Sequence, residues 1–219
     1  MQYFTQFPKI TTTDYAGNSV QVTDILKRVE IIPNLLNNIL LFYDYDIQDG
    51  DTPDIIASKY YNDPDRYWAV MYSNQMFDNA SNWPMHQNLF NTYIVDKYTN
   101  ATANALSISA NTVSPSQVFA YTNSTVQQCI KNVTTVDSIT NSSNTVTTII
   151  SEQALANTIQ GKNSFSFSDG SSVSVTVSAY TQSIFDYENS LNESKRNIKL
   201  INSKYIGQVE NQLINLLGA

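Results

Sequence analysis

Cysteine and histidine are nearly missing from this chain, with one of each in 219 residues. The lone Cys129 has no internal disulfide partner and reads as a small buried hydrophobe. Any histidine-based catalytic triad would have to use His86, yet no Gly-x-Ser-x-Gly elbow or comparable motif frames a nucleophile for it. Beside Trp83, His86 reads as a packing or hydrogen-bonding residue. Charge is scarce too, at 14% Asp, Glu, Lys and Arg, with a net value of −7. Basic residues are outnumbered two to one in residues 1–98, which hold six Lys/Arg against twelve Asp/Glu. Neutralising phosphates requires a basic face, so nucleic acid is excluded as a partner. The richest apolar stretch, Ile31 to Tyr43, is interrupted by Pro33, Asn34, Asn37 and Asn38, and no basic amino-terminal segment precedes an apolar run. Neither a signal peptide nor a membrane span is expected. On that ground the Asn-x-Ser/Thr triplets at Asn79, Asn132 and Asn192 are read as products of a Ser/Thr/Asn-rich composition rather than glycosylation sites.

Tyrosine, by contrast, is abundant, with 14 copies. In a weakly charged chain this many amphipathic rings fit either an aromatic core or protein interfaces. The densest local signals lie between Tyr43 and Tyr98. The alternating run Phe42 to Ile47 predicts a strand, and Asp49-Gly50-Asp51-Thr52-Pro53 predicts a turn followed by a capped helix with proline at its first position. Ile55, Ile56, Lys59 and Tyr60 recur at helical spacing. Asn62-Asp63-Pro64-Asp65 repeats the start signal, predicting a second helix that buries Tyr67, Trp68, Val70 and Met71 and ends near Asn74. Leu89, Phe90, Tyr93, Ile94 and Lys97 repeat at helical rather than strand spacing. Asp44-Tyr45-Asp46-Ile47-Gln48-Asp49-Gly50 departs from a calcium loop, because the third acid and the glycine come one position late and no glutamate closes it. Its aspartates are read as solvated strand-edge and capping groups, and no metal or cofactor is expected.

The order strand, Gly-Asp-Thr turn, Ile-Ala helix and second helix ending in Asn resembles the LysM module, a small βααβ unit. The residues that carry the likeness are Gly50, Asp51, Thr52, Ile56, Ala57 and Asn74, with Trp68 as the expected core aromatic. The Pro-Gly-Gln that usually precedes the module's closing strand is absent, and Asn82-Trp83-Pro84-Met85 stands in its place.

Outside that stretch, residues 1–42 read as an aromatic arm with little regular structure (Tyr3, Phe4, Phe7, Ile10) and then a helix opened by Thr23 or Asp24. That helix runs through Ile25, Leu26 and Val29 to Pro33, and Leu35, Leu36, Ile39 and Leu40 form a second run. Residues 99–182 read as an inserted, mostly β subdomain rich in Ser, Thr and Asn. Alternation marks Leu106-Ser107-Ile108, Val113 to Tyr121, and the segments flanking the Asp169-Gly170 hairpin signal. Ser151 to Asn157 reads as a short helix. Low charge leaves these strand edges open to pairing. Residues 183–219 read as extended (from Phe185), turn, extended (Asn197 to Ile201), then a helix bearing Ile206, Val209, Leu213, Ile214 and Leu217 and stopped by Gly218. The expected class is therefore α+β: a LysM-like helical core (43–98), an amino-terminal helix, the β insertion and a carboxy-terminal strand and helix.

Asp24-Ile25, Asp63-Pro64, Tyr67-Trp68, the Trp83 segment, and Asn192-Glu193 with Lys195-Arg196-Asn197-Ile198-Lys199-Leu200-Ile201 together resemble the baseplate wedge protein 53 family of contractile-tailed bacteriophages. The likeness covers residues 1–98 and 183–217. It implies a structural, non-enzymatic subunit of the virion tail baseplate, made in the host cytoplasm. Such a subunit clamps neighbouring wedge proteins around the hub within a large symmetric hetero-oligomer, alongside hub or sheath-initiating proteins. Candidate partner-facing residues are Trp83, Phe90, Tyr93, Arg196, Ile198, Leu200 and Tyr205, with the terminal strand expected to add to a neighbour's sheet edge or to dock back on the core. The competing expectation is a LysM-type peptidoglycan-binding protein or accessory of a cell-wall hydrolase. A third, an adhesin-like β protein, rests on residues 99–180.

Overall fold

The structure, a computed structural model, describes residues 3–27, 29, 40–76 and 82–217. The packing of Tyr3 and Phe4, the run through Leu35, Leu36 and Ile39, the break at Pro33 and the stop at Gly218 lie outside the described residues. The fold is α+β, and the chain divides into two compact units, Met1–His86 with Asn192–Ala219, and Gln87–Leu191.

In the first unit, β1 (Lys9–Thr13) and β2 (Ser19–Thr23) form an antiparallel hairpin that pairs Ile10 with Val22 and Thr12 with Val20. The arm expected to lack regular structure is thus a ribbon. Its turn is built by Asp14, whose Oδ1 accepts from the backbone N–H of Ala16 and of Asn18 at 2.9 and 2.8 Å, an Asx arrangement that competes well with irregular chain. Nor does a helix begin at Asp24. The Asp24 side chain accepts from the Leu26 N–H at 3.1 Å, and Ile25 and Leu26 lie exposed in a turn.

Next, β3 (Phe42–Asp46) enters a turn at Gly50, whose φ of +89° is strained for any residue with a Cβ. Helix α1 (Pro53–Tyr61) follows, with Thr52 at the N-cap position and Pro53 in the first turn. It buries Ile56, Ala57 and Tyr61 and leaves Ile55 exposed, so the apolar stripe is offset from the expected one. A 3₁₀ turn (Pro64–Arg66), capped by Asp63, leads into α2 (Tyr67–Ser73), which ends at Asn74. Trp68, Ala69 and Val70 are buried, while Tyr67 and Met71 are half-buried.

The strand that closes this unit comes from the far end of the chain. β8 (Asn197–Ile201) pairs antiparallel with β3, aligning Phe42 with Ile201, Tyr43 with Leu200 and Tyr45 with Ile198. Ile198, Leu200 and Ile201 are all buried, so both faces of the strand are covered within the same chain. The strand thus docks back on its own unit, the other alternative the sequence offered, and the edge paired with β3 is not open to a neighbour's sheet. Helix α7 (Ile206–Leu217) completes the unit and buries Ile206, Leu213 and Leu217 against the same core as Trp68.

The second unit opens with α3 (Gln87–Leu106), which buries Phe90, Ile94, Thr102 and Ala103. Helix α4 (Pro115–Ser124) starts at a capping box formed by Ser114 and Gln117. Two stretches expected to be strands are therefore different. Leu106 ends a helix, and Val113 to Tyr121 runs into one, because Val118 and Thr122 bury one face at a spacing of four. A four-stranded antiparallel sheet follows, in the order β5 (Ser143–Ile150), β4 (Val126–Asp137), β7 (Ser172–Ser183), β6 (Gly161–Ser166). The hairpin at Asp169-Gly170 joins β6 to β7, with Gly170 at φ +87°. The short α5 (Glu152–Ala156) lies where expected, capped by Ser151. Cys129 is buried in β4. Phe185 to Glu188, expected to be extended, lies in α6 (Ile184–Glu193), whose Asp186 N–H is capped by Ser183 Oγ at 3.1 Å.

Because α3 runs without interruption to Leu106, residues 87–98 belong to the second unit, and the βααβ core is residues 42–74 with 197–201 rather than 43–98.

Candidate functional site

Three of the residues that carry the LysM likeness, Gly50, Asp51 and Thr52, form the turn between β3 and α1. Asp51, 6% exposed, is its hub. Its Oδ2 accepts from the Tyr45 hydroxyl at 2.8 Å and the Gln48 N–H at 3.1 Å, and its Oδ1 accepts from Lys59 Nζ at 2.6 Å. Burial alone would raise the Asp51 carboxyl, but donors from Lys59, Tyr45 and Gln48 outweigh it and hold the group below its ordinary value. Burial and the bond to Asp51 push the Tyr45 hydroxyl up to about 12. Asp51 therefore stays ionised and Tyr45 protonated across the neutral range.

Two segments seal this turn from outside. The Trp83 indole N–H donates to the Asp51 carbonyl at 2.9 Å. Arg196 donates through Nη1 to the Ile47 carbonyl at 3.1 Å and pairs through Nε with Glu193 at 2.6 Å, while the Ile47 N–H donates to the Arg196 carbonyl at 2.9 Å. Asn192 ties the two segments together. Its Oδ1 accepts from the Met85 N–H at 2.7 Å and its Nδ2 donates to the Met85 carbonyl at 3.0 Å, as a neighbouring strand would.

At the other end of the βααβ unit, Ser73 Oγ donates to the Lys199 carbonyl at 2.6 Å, and Asn74 bonds the same residue through both halves of its amide. The Tyr61 hydroxyl donates to the Ile201 carbonyl at 2.9 Å, and burial pushes its ionisation above the ordinary value. Arg66 forms a forked pair with Glu210 of α7, at 3.0 and 3.4 Å. Lys27 donates to the carbonyl of Leu217.

The second unit holds a comparable network around Glu188, 6% exposed, on α6. Tyr93, Lys97 and Tyr98 of α3 donate to it at 3.0, 2.9 and 2.6 Å. Burial raises the Glu188 carboxyl, and the three donors more than reverse that. A carboxylate kept ionised by three donors makes a poor general acid, and its lone pairs are spent on the fold.

The structure separates the candidate partner-facing residues. Phe90, Ile198 and Leu200 are buried in the chain's own cores, so they are withdrawn from any surface. Trp83 and Arg196 brace the Gly50 turn, and Tyr93 serves Glu188. Tyr205 is half-buried at the start of α7. The motif residues behave differently: Gly50, Asp51 and Thr52 build the turn, Ile56, Ala57 and Trp68 lie in one core, and Asn74 fastens β8. Ser73 and Glu188 are not singled out from sequence, and Lys59 reads there as part of the α1 repeat rather than as the partner of Asp51. Lys59 lies eight residues after Asp51, a spacing with no regular pattern across a turn and a helix start.

Among the described residues, no group of three or more His, Cys, Asp or Glu side chains could hold a metal ion, and no helix is long and apolar enough to cross a membrane. Tyr43 is 56% exposed and stacks on Tyr60, with ring centroids 5.9 Å apart and planes at 19°. A search of protein-family models finds no match to the chain, and a search of curated proteins finds none either.

Proposed function

We propose that this chain is a non-enzymatic structural subunit of a contractile phage tail baseplate, with a LysM-like unit that helps to clamp neighbouring wedge proteins around the hub. One observation carries the reading. The segments that bear the family likeness, Gly50 to Asn74 and Asn192 to Ile201, lie more than a hundred residues apart and fold into one compact unit. The Ser/Thr/Asn-rich stretch, which lacks the likeness, falls in the other, together with residues 87–98 and 183–191 at the margins of the likeness. This is the pattern of an ancestral core carrying an insertion. The buried carboxylates support a scaffold role, because Asp51 and Glu188 each accept three hydrogen bonds from the fold itself.

The test is sedimentation of the chain alone and mixed with the wedge and hub proteins of the same phage. Co-sedimentation in a defined complex supports the reading, and separate sedimentation from every tail protein overturns it. The second reading, a peptidoglycan-binding module, is favoured by the exposed Tyr43 on its Tyr60 backing, an aromatic surface of the sort on which a sugar ring stacks. A pull-down on insoluble peptidoglycan, with Tyr43→Ala as the control, separates the two.

A further inference from the structure

The sheet of the second unit has two unlike faces, and the register identifies them. Val133 lies opposite Val146 on one side and Val177 on the other, and Val175 lies opposite Thr135. Val173 lies between Asp137 and Phe165. Side chains directly across a ladder share a face, so these valines and Phe165 make one apolar surface. The opposite face at the same height carries Thr134, Thr145, Thr147, Thr176 and Ser178. The valine face is incompletely covered by its own chain. Val146 is 54% exposed and Phe165 56%, and Val173, Val175 and Val177 are only half-buried. A β-sheet with one apolar face ordinarily buries it against a second layer.

The charges on this face indicate what that layer is. Lys131 and Asp137 project from the same side of β4, six residues and therefore about 20 Å apart. Lys131 has no ion pair among the described residues. Asp137 spends Oδ1 on the N–H groups of Ile139 and Thr140 in the β4–β5 turn, and Oδ2 has no bond among the described residues. A two-fold axis lying between the stacked sheets and crossing β4 at Thr134 sets Lys131 of each copy towards Asp137 of the other and Val175 of each towards Val177 of the other. This is the self-complementarity an isologous contact requires. We propose that the valine face of this sheet packs on the same face of a second copy of this chain, forming an aligned two-sheet sandwich.

Analytical ultracentrifugation of the full chain across a concentration series tests this, with circular dichroism to confirm that each variant is folded. A reversible dimer is expected. Val146→Glu, on an edge strand and already half-exposed, should leave a folded monomer. Lys131→Glu should weaken the dimer on the order of tenfold by facing two carboxylates. Asp137→Asn keeps the Oδ1 acceptor for the turn. Alone it should weaken the dimer, and added to Lys131→Glu it should strengthen it. A wild-type monomer at millimolar concentration overturns the proposal. So does a dimer indifferent to Val146→Glu, or an Asp137→Asn effect of the same sign in both backgrounds.

Discussion

The side-chain amide of Asn74 bonds both backbone polar groups of Lys199, accepting from its N–H at 2.7 Å and donating to its carbonyl at 2.8 Å. Helix α2 therefore ends by presenting a strand-like partner to β8, which already uses its other edge for β3. Replacing Asn74 by Ala removes the side-chain acceptor of the Lys199 N–H, while the carbonyl keeps Ser73 Oγ, at a cost of about 1–3 kcal/mol. Asn74→Asp keeps the acceptor but loses the donor, so it should fall between wild type and Ala in chemical denaturation.

Trp68 is 3% exposed in the core shared by α1, α2, β8 and α7, and its ring meets Tyr72 edge-on at 6.2 Å. Trp68→Ala should cost about 3–5 kcal/mol. That is a large part of a typical domain's stability. Loss of the cooperative melting transition of the first unit is the expected readout, and a Tm within a few degrees of wild type contradicts this packing.

Stability should depend on acid pH in a predictable direction. Glu188 and Asp51 lie below their ordinary values of 4.5 and 3.8 in the fold. A carboxyl whose pKa falls on folding contributes fully above its unfolded value, and the contribution disappears as pH falls through the folded value. Glu188→Gln should therefore be less stable than wild type at neutral pH, with the difference narrowing as pH drops below 4.5. Unfolding curves of both proteins at stepped pH measure this. A difference that widens in acid would contradict the assigned network.

Local chemistry was readable from sequence where it was local in fact. The Gly50 turn, Pro53 in the first turn of α1, the Asp63 cap and the Asp169-Gly170 hairpin each lie where those residues predict. Neither Asp51 nor Thr52 caps α1, however, because Asp51 is spent on Tyr45, Gln48 and Lys59 and Thr52 donates to Asp54. Helix α3 ran past its expected end because Thr99 and Thr102 spend their hydroxyls on the Val95 and Tyr98 carbonyls, which removes the polarity that made the segment look like loop. The partner of β3 was not readable. Nothing near Tyr43 indicates a strand some 150 residues later, and Ile198-Lys199-Leu200 has apolar residues compatible with either a neighbour's sheet or its own. The same non-locality hid what Asn192 does, because its bonds to Met85 need the fold to bring them together.

A chain ending near Gln182 should lose the first unit altogether. It would strip β3 of its only strand partner in that two-stranded sheet, leave the Tyr61 hydroxyl and Asn74 without their acceptors on β8, and open the face that α7 covers. Burial of Ile198, Leu200 and Leu217 alone amounts to about 1.5–3 kcal/mol each. Loss of cooperative unfolding by differential scanning calorimetry is expected. A surviving transition for the first unit contradicts the pairing.

Removing the middle of the chain should have the opposite effect. Residues 87–191 leave the first unit after His86 and return at Asn192, and the Met85–Asn192 bonds at 2.7 and 3.0 Å place the two ends side by side. Closing so short a gap costs little loop entropy, since that cost grows only with the logarithm of loop length. Every residue of the first core, from Phe7 through Trp68 to Leu217, lies outside the excised stretch. Joining His86 to Asn192 through a few Gly and Ser residues should therefore give a small domain that melts cooperatively, retains the Trp83 bond to the Asp51 carbonyl, and protects the amides of β3 and β8 from hydrogen exchange. The comparison with the truncated chain is decisive, because the excised variant lacks far more residues yet should be the folded one. If instead the excised chain is unfolded while its pair of ends is covalently joined, the second unit is part of the first unit's stability, and the picture of a core with an insertion fails.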